Sequence, residues 1–198
     1  MPISKERYST GATYADWVAA MTRNRERLEA AEKNIQIDPA DIAVFKGLSR
    51  TTHVAVLAED WCGDVIANLP VLARLSEESG KIDFRIFNRD QNLDLMDQYL
   101  ARGEFRSIPV FVIMDHDFKE IGAFKERPDS VTKLRAEKRA QVYASDPAFG
   151  PPDSPVESLP EDVRARLQAA LARSREETVP FANREVVREL REIFARAA

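Results

Sequence analysis

The only cysteine of the chain, Cys62, lies in the sequence Asp60-Trp61-Cys62-Gly63-Asp64, between a predicted strand and a predicted helix. Backbone N–H groups at the start of a helix favour an anion, and the thiolate is the reactive form of a cysteine. The residue type and its position therefore predict thiol–disulfide exchange or reversible oxidation at Cys62.

Two effects of opposite sign act on the Cys62 thiolate. The helix terminus stabilises it by about 0.3–2 kcal/mol, whereas a carboxylate about 5 Å away opposes it by up to about 3 kcal/mol at an effective dielectric constant of about 20. The nearest carboxylates in sequence are those of Glu59, Asp60 and Asp64. The sequence therefore leaves the reactivity of Cys62 open, and a purely structural role at a strand-to-helix corner stays as the alternative.

The elements that must position this cysteine follow from the hydrophobic pattern. The apolar run 54–58 predicts a strand buried on both faces, and residues 64–79 then have the pattern of a helix. The remaining predicted elements of this region are strands at 82–86, 108–114 and 118–124, the last two forming a hairpin, and helices at 93–103 and 128–143. This order predicts a mixed sheet with helices on both sides.

Segments of different character flank this region. Apolar residues at helical spacing predict an amphipathic helix over about 12–34, and a shorter helix over 39–46. Five prolines between residues 147 and 160 predict an extended linker, which is followed by helical patterns. The predicted organisation is an N-terminal helical extension packed on the core (1–51), a core (52–144), a proline-rich linker (145–160) and a C-terminal helical extension (161–198).

The chain resembles the thioredoxin superfamily in features that lie in register with one another. Trp61-Cys62-Gly63 matches the start of the family's active-site motif, and Pro70 matches a helix proline eight residues after the cysteine. Pro109 matches the cis-proline that faces the cysteine in the family, and the order of strands and helices also agrees. The resemblance implies an α/β, thioredoxin-like fold, with a mixed four-stranded sheet flanked by helices and extra N- and C-terminal helices. The subgroup that it indicates carries a Trp-Cys-Gly-Asp motif.

Two departures from the family pattern affect the same half-reaction. Val65 occupies the position of the second, resolving cysteine, and Val56 occupies the position of a buried acidic residue that assists proton transfer in the family. A mixed disulfide at Cys62 cannot be released by an internal thiol, because the chain contains no other cysteine. The chain is therefore expected not to be a dithiol thioredoxin.

The resemblance also implies a binding surface beside the thiol. The backbone before the family's cis-proline pairs with an extended substrate segment. Cys62 is the candidate catalytic residue, and the candidate substrate-binding residues are Trp61, Gly63, Asp64, Ile108 and Pro109. The leading hypothesis is a monothiol oxidoreductase whose partner is a thiol-containing protein or a small thiol such as glutathione. The alternative is a non-catalytic binding or adaptor module that uses the cis-proline edge.

Composition argues against other classes of function. The net charge is -4 with basic and acidic residues interspersed, so no basic face for nucleic acid is expected. The longest apolar run has seven residues, far fewer than the roughly 20 of a membrane span. His53 and His116 lack metal-ligand spacing, so no metal is expected. The sequence has no G-x-G or P-loop pattern, and no cofactor is expected. A lone cysteine and the absence of a signal-peptide pattern indicate the cytoplasm, and a homodimer through the terminal helices is a further hypothesis.

Overall fold

The structure, a computed structural model, describes residues 3–197. The chain divides into two compact units. The first, called the sheet unit here, comprises the chain up to Arg127 and again from Val186 onward. The second, called the helical unit, comprises residues Pro128–Glu185.

Four helices precede the first strand of the sheet unit, and two further helices lie between its strands. Its helices are α1 (Lys5–Ser9), α2 (Tyr14–Ala20), α3 (Arg25–Asn34), α4 (Pro39–Lys46), α5 (Gly63–Ser79) and α6 (Leu93–Met96). Its strands are β1 (Thr52–Ala58), β2 (Ile82–Asn88), β3 (Val110–Met114) and β4 (Glu120–Lys125). The helical unit contains α7 (Asp129–Ala144) and α8 (Glu161–Glu177), and α9 (Val179–Phe194) contributes residues to both units.

The four strands form one mixed sheet in the order β2-β1-β3-β4. Strand β1 pairs in parallel with β2 and antiparallel with β3, and β3 pairs antiparallel with β4. The side chains of β3 are all buried, and in β1 His53 alone is partly exposed. The predicted mixed four-stranded sheet flanked by helices is therefore confirmed.

Helix α5 carries the apolar face that packs on this sheet. Its fully buried side chains include Val65, Leu69, Leu72 and Leu75, which recur at the three- and four-residue spacing of one helix face. The helix ends at Gly80, whose φ of 60° is the left-handed conformation that favours glycine at a helix C-terminus. The sequence predicted both the helix and this end.

The single helix predicted over 12–34 is wrong, because the segment contains two helices. Helix α2 ends where Met21 leaves the helical conformation, with a ψ of 133°, and α3 begins after Asn24, whose φ is 56°. Apolar residues continue at helical spacing across this break, so periodicity alone did not reveal it.

Asp60 supplies the physical reason for the break between α2 and α3. Its Oδ2 accepts hydrogen bonds from the backbone N–H of Thr22 at 2.7 Å, the backbone N–H of Arg23 at 2.9 Å and the Thr22 hydroxyl at 3.0 Å. Asn24 Nδ2 donates to the Asp60 carbonyl at 2.9 Å. Burial alone would raise the pKa of Asp60, but these hydrogen bonds together lower its pKa below the ordinary value.

The helix predicted over 93–103 is also shorter than expected. Helix α6 stops at Met96. At the end of the predicted span, Arg102 and Gly103 have φ values of 53° and 76°, which a right-handed helix excludes. Within the predicted linker, Phe149 is buried in a small apolar cluster of the helical unit that includes Tyr143, Val163 and Leu167.

The apolar face of α9 belongs to the core of the sheet unit. Its buried side chains there are Val186, Val187, Leu190, Ile193 and Phe194. Phe194 packs edge-on against Phe45 of α4, with ring centroids 5.3 Å apart. Gly122 of β4 permits this close packing, because a Cβ there would lie 3.1 Å from Ile193 Cγ2. The part of α9 from Val186 to Phe194 therefore belongs to the sheet unit's core.

Phe194→Ala tests this packing. Loss of a fully buried phenylalanine is expected to lower the free energy of unfolding by about 3–5 kcal/mol. Urea unfolding followed by tryptophan fluorescence measures this change, because both tryptophans lie in the sheet unit. Val44→Ala is the control, since Val44 is exposed on α4. A change at Phe194 as small as that of the control would contradict the packing of α9.

Asp60→Asn tests the hydrogen bonds that hold the break between α2 and α3. The substitution is expected to lower the free energy of unfolding by about 1 kcal/mol at neutral pH. Because folding lowers the pKa of Asp60 from its ordinary 3.8, this stabilisation is present above that pH and is lost as the pH falls through the folded-state pKa.

Urea unfolding of both proteins at pH 7, 5 and 3 measures the Asp60 contribution. The difference between wild type and Asp60→Asn should be present at pH 7 and 5 and smaller at pH 3. Glu104→Gln is the matched control, since Glu104 is an exposed carboxylate of the sheet unit. An equal difference at all three pH values would show that the charge of Asp60 does not contribute.

Candidate functional site

Cys62 lies where the central strand passes into the longest helix of the sheet unit. It is the N-cap residue of α5, and its side chain caps no backbone N–H. Its own backbone N–H donates to the Glu59 carbonyl at 3.2 Å, which fixes the short loop after β1. The residue is partly exposed, so Cys62 lies at the surface of the sheet unit with its backbone fixed.

The residue before Pro109 contacts the thiol directly. Cys62 Sγ lies 3.5 Å from the Ile108 carbonyl oxygen, with the thiol as donor. The Ile108–Pro109 peptide bond is cis, and the Ile108 side chain is buried. The structure thus brings together Cys62, Ile108 and Pro109, which are 46 and 47 residues apart in the sequence.

A pair of hydrogen bonds links the Pro109 segment to α5. The Pro109 carbonyl accepts from the backbone N–H of Glu126 at 2.7 Å, and the Glu126 carbonyl accepts from Asn68 Nδ2 at 2.8 Å. Asn68 is buried on α5, and an unsatisfied polar group there would be costly. The Glu126 peptide therefore acts as a bridge between the helix that carries Cys62 and the strand that follows Pro109.

Asp64 is buried in the first turn of α5 and forms an ion pair with Arg127. Arg127 Nη1 also lies 3.0 Å from Glu126 Oε1. A carboxylate in the first turn of a helix interacts favourably with the helix dipole, and the guanidinium compensates its charge further. Asp64 therefore presents a compensated charge beside the thiol, not a free one.

The other two carboxylates near Cys62 are also held by donors. Glu59 Oε1 accepts from the backbone N–H of Asp90 at 2.9 Å, and Asp60 accepts from the segment between α2 and α3 as described above. Each of these two carboxylates is therefore stabilised by backbone N–H groups of another segment.

Trp61 forms an exposed surface next to the thiol. The residue is 42% exposed, and the Arg89 guanidinium carbon lies 4.9 Å from the centroid of its ring, within the range of a cation–π interaction. Arg89 Nη1 donates to the Arg106 carbonyl at 3.1 Å. Gly63, the fifth predicted binding residue, is the first residue of α5.

Val65 and Val56 occupy apolar positions in the core. Both side chains are fully buried, Val65 on α5 and Val56 on β1. The two departures from the family pattern are therefore accommodated by apolar packing, and no ionisable group replaces the missing thiol or acid at either position.

Sequence reasoning missed the residues that support the site from a distance, namely Arg89, Arg106, Glu126, Arg127 and Asn68. The sequence order could have indicated Arg89. It follows β2 as Cys62 follows β1, and the carboxyl ends of neighbouring parallel strands lie at the same edge of a sheet. Arg127 and Glu126 come from beyond the hairpin, and no local pattern associates them with Cys62.

Other groups in the sheet unit lie away from Cys62. His53 Nδ1 is 3.4 Å from Asp83 Oδ2, and its ring stacks on Phe118 with centroids 4.2 Å apart. These residues line a cavity of about 400 Å³ near the start of β1 and β2.

Over residues 3–197, no group of three or more His, Cys, Asp or Glu side chains is arranged to hold a metal ion. Within that same part of the chain, no helix combines the length and apolar character of a membrane span.

Comparisons with known proteins identify the family. Two solved structures are similar in fold. A protein of unknown function from Pseudomonas aeruginosa is 19% identical, with a TM-score of 0.60 over 85% of this chain and 95% of that one. An HIV epitope-scaffold is 18% identical, with a TM-score of 0.65 over 98% of this chain and 99% of that one. At these identities the likeness concerns the fold alone.

No curated protein matches the sequence of this chain. A protein-family model described as Thioredoxin matches residues 11–140. This match covers more than half of the chain and includes Trp61, Cys62 and Pro109, together with all four strands of the sheet. The chain therefore belongs to the thioredoxin family.

Proposed function

We propose that this protein exchanges disulfides through a single thiol, Cys62, and that an external thiol completes the cycle. The observation that carries the proposal is the 3.5 Å contact between Cys62 Sγ and the Ile108 carbonyl. It puts a partly exposed nucleophile at a helix N-terminus and beside a backbone segment suited to an extended substrate.

The reaction needs two steps and one external thiol. In the first, the Cys62 thiolate attacks one sulfur of an external disulfide, and the other sulfur leaves as a thiolate with the electron pair of the broken S–S bond. In the second, an external thiol such as glutathione attacks the mixed disulfide as its thiolate. Cys62 then leaves as a thiolate, and a new external disulfide forms.

The external thiol is required because the chain cannot supply the second nucleophile. Cys62 is the only cysteine, and the position one helical turn later holds the buried side chain of Val65. The substrate is proposed to be a protein disulfide or glutathione disulfide, with Trp61, Gly63, Asp64, Ile108 and Pro109 around the reacting sulfur. Redox catalysis of the dithiol type is not proposed.

The carboxylates nearest to Cys62 in the sequence are all held by partners from other segments of the chain. Asp64 pairs with Arg127, and Glu59 and Asp60 accept hydrogen bonds from backbone N–H groups. The guanidinium of Arg127 thus offsets the charge of Asp64 in the first turn of α5.

Glutathionylation of Cys62 tests the proposal. Reduced protein incubated with oxidised glutathione near neutral pH is expected to gain one glutathionyl group on Cys62, measured by intact mass and peptide mapping. Added reduced glutathione is expected to remove the group, because it supplies the external thiol of the second step.

Two controls accompany the glutathionylation experiment. Cys62→Ser should gain no mass, and wild-type protein unfolded in urea gives the rate of an ordinary thiol. Folded wild type that stays unmodified while the unfolded chain reacts would contradict the proposal. An adaptor role of the cis-proline edge would then be supported if Cys62→Ser also retained partner binding.

Val65→Cys should create the dithiol motif that the chain lacks. Residue 65 lies one helical turn after Cys62, and valine and cysteine have similar volumes, so the substitution is expected to fold. A disulfide between Cys62 and the introduced cysteine is expected to close under oxidation. Reduction of insulin by the variant in the presence of dithiothreitol is expected to rise above wild type.

The control for this gain is Ala67→Cys, which adds a thiol to the same helix five residues after Cys62. This variant should neither close an internal disulfide nor gain insulin reduction. Failure of Val65→Cys to close a disulfide would show that the first turn of α5 does not present the two sulfurs as a dithiol active site requires.

A further inference from the structure

We infer that Arg89 is a positioning residue of the Cys62 site, which holds the Trp61 ring and the backbone before Pro109 in fixed relation to each other. The kinetic part of this inference rests on the proposed function, because it assumes that Cys62 reacts with disulfides. It predicts that reaction of Cys62 with a polypeptide disulfide depends on Arg89, whereas reaction with a small reagent that touches neither Trp61 nor the Pro109 segment does not.

The planar guanidinium of Arg89 makes three kinds of contact. The guanidinium carbon lies over the Trp61 ring, 4.9 Å from the ring centroid. One edge donates to the Arg106 carbonyl at 3.1 Å, and Nη2 and Nε donate to Asp90 Oδ1 at 2.7 and 2.9 Å. Only arginine can stack and donate from a rigid fork at the same time.

The contacts of Arg89 complete a closed path around the thiol. On one side, Cys62 N–H donates to the Glu59 carbonyl, and the Glu59 carboxylate accepts from the N–H of Asp90, the residue after Arg89. On the other side, Arg89 holds the Arg106 carbonyl, two residues before Ile108, whose own carbonyl contacts Cys62 Sγ. Three loops therefore hold one another in place at this edge of the sheet.

The charge of Arg89 is engaged by its own neighbour. The ion pair with Asp90 compensates the guanidinium, and the Arg89 side chain is only 19% exposed. Arg106 is likewise engaged, with Asp97 oxygens at 2.7 and 2.9 Å. This arrangement fits a residue that orients other groups, since a residue that binds an anionic substrate would present its charge to solvent.

Arg89→Met and Arg89→Lys test the inference. Methionine retains an apolar stem without donors, and lysine retains a charge for Asp90 without the plane or the fork. Both variants are expected to slow mixed-disulfide formation with an extended peptide disulfide by about 10-fold, while alkylation of Cys62 by iodoacetamide changes less than about 2-fold. Loss of the guanidinium over the Trp61 ring should increase acrylamide quenching of tryptophan fluorescence in both variants. The change reports on Trp61, because Trp61 is exposed and Trp17 is buried.

Asp90→Asn is the matched control. It removes the ion pair but leaves the stack on Trp61 and the hydrogen bond to Arg106, so peptide kinetics and quenching should stay close to wild type. Urea unfolding of every variant shows whether the fold is retained, and Arg89→Lys provides the second variant if Arg89→Met does not fold.

Three results would overturn the inference: unchanged quenching in both Arg89 variants, equal slowing of alkylation and peptide exchange, or peptide kinetics in Asp90→Asn as slow as in Arg89→Met. If wild type itself forms no mixed disulfide, the proposed function fails. Quenching then decides by itself whether Arg89 positions Trp61, so the two failures are distinguishable.

Discussion

Strand β1 pairs in parallel with β2 and antiparallel with β3, and this pairing decides which parts of the chain meet at Cys62. The register places Ala58 beside Asn88 and Leu57 beside Val110. The chain after β1, the chain after β2 and the chain before β3 must therefore lie at one edge of the sheet. These three segments supply Cys62, Arg89 and Ile108, so the site is a consequence of strand order before any side chain interacts.

Sequence patterns predicted the elements with a strong periodicity and failed where backbone conformation depends on a distant partner. The apolar runs of β1 and β3 and the helical face of α5 are encoded locally, and the glycine that ends α5 is encoded locally too. The break between α2 and α3 depends on Asp60, 36 residues after Asn24 in the sequence. Periodicity in the α2–α3 segment carries no information about that carboxylate, so one helix was predicted where two exist.

The same limit applies to the candidate site. Cys62 and Pro109 could be identified because their types and spacing resemble a family motif, whereas their supports could not. Arg127 reaches Asp64 across 63 residues of sequence, and the Glu126 peptide reaches both Pro109 and Asn68. These contacts use a backbone amide, a backbone carbonyl and a common surface residue, none of which has a distinctive sequence signature. The identity of a candidate residue is therefore easier to predict from sequence than the contacts that surround it.

The carboxylates around Cys62 show why that environment matters. Considered as sequence, Glu59, Asp60 and Asp64 are three negative charges that oppose a thiolate. In the folded chain each carboxylate holds a different segment: a turn after β2, the break before α3, and the loop after β4. These carboxylates therefore connect separate segments of the chain, a role that their positions beside Cys62 in the sequence do not indicate. Val65, one helical turn after Cys62, is fully buried and adds its apolar side chain to the core of the sheet unit.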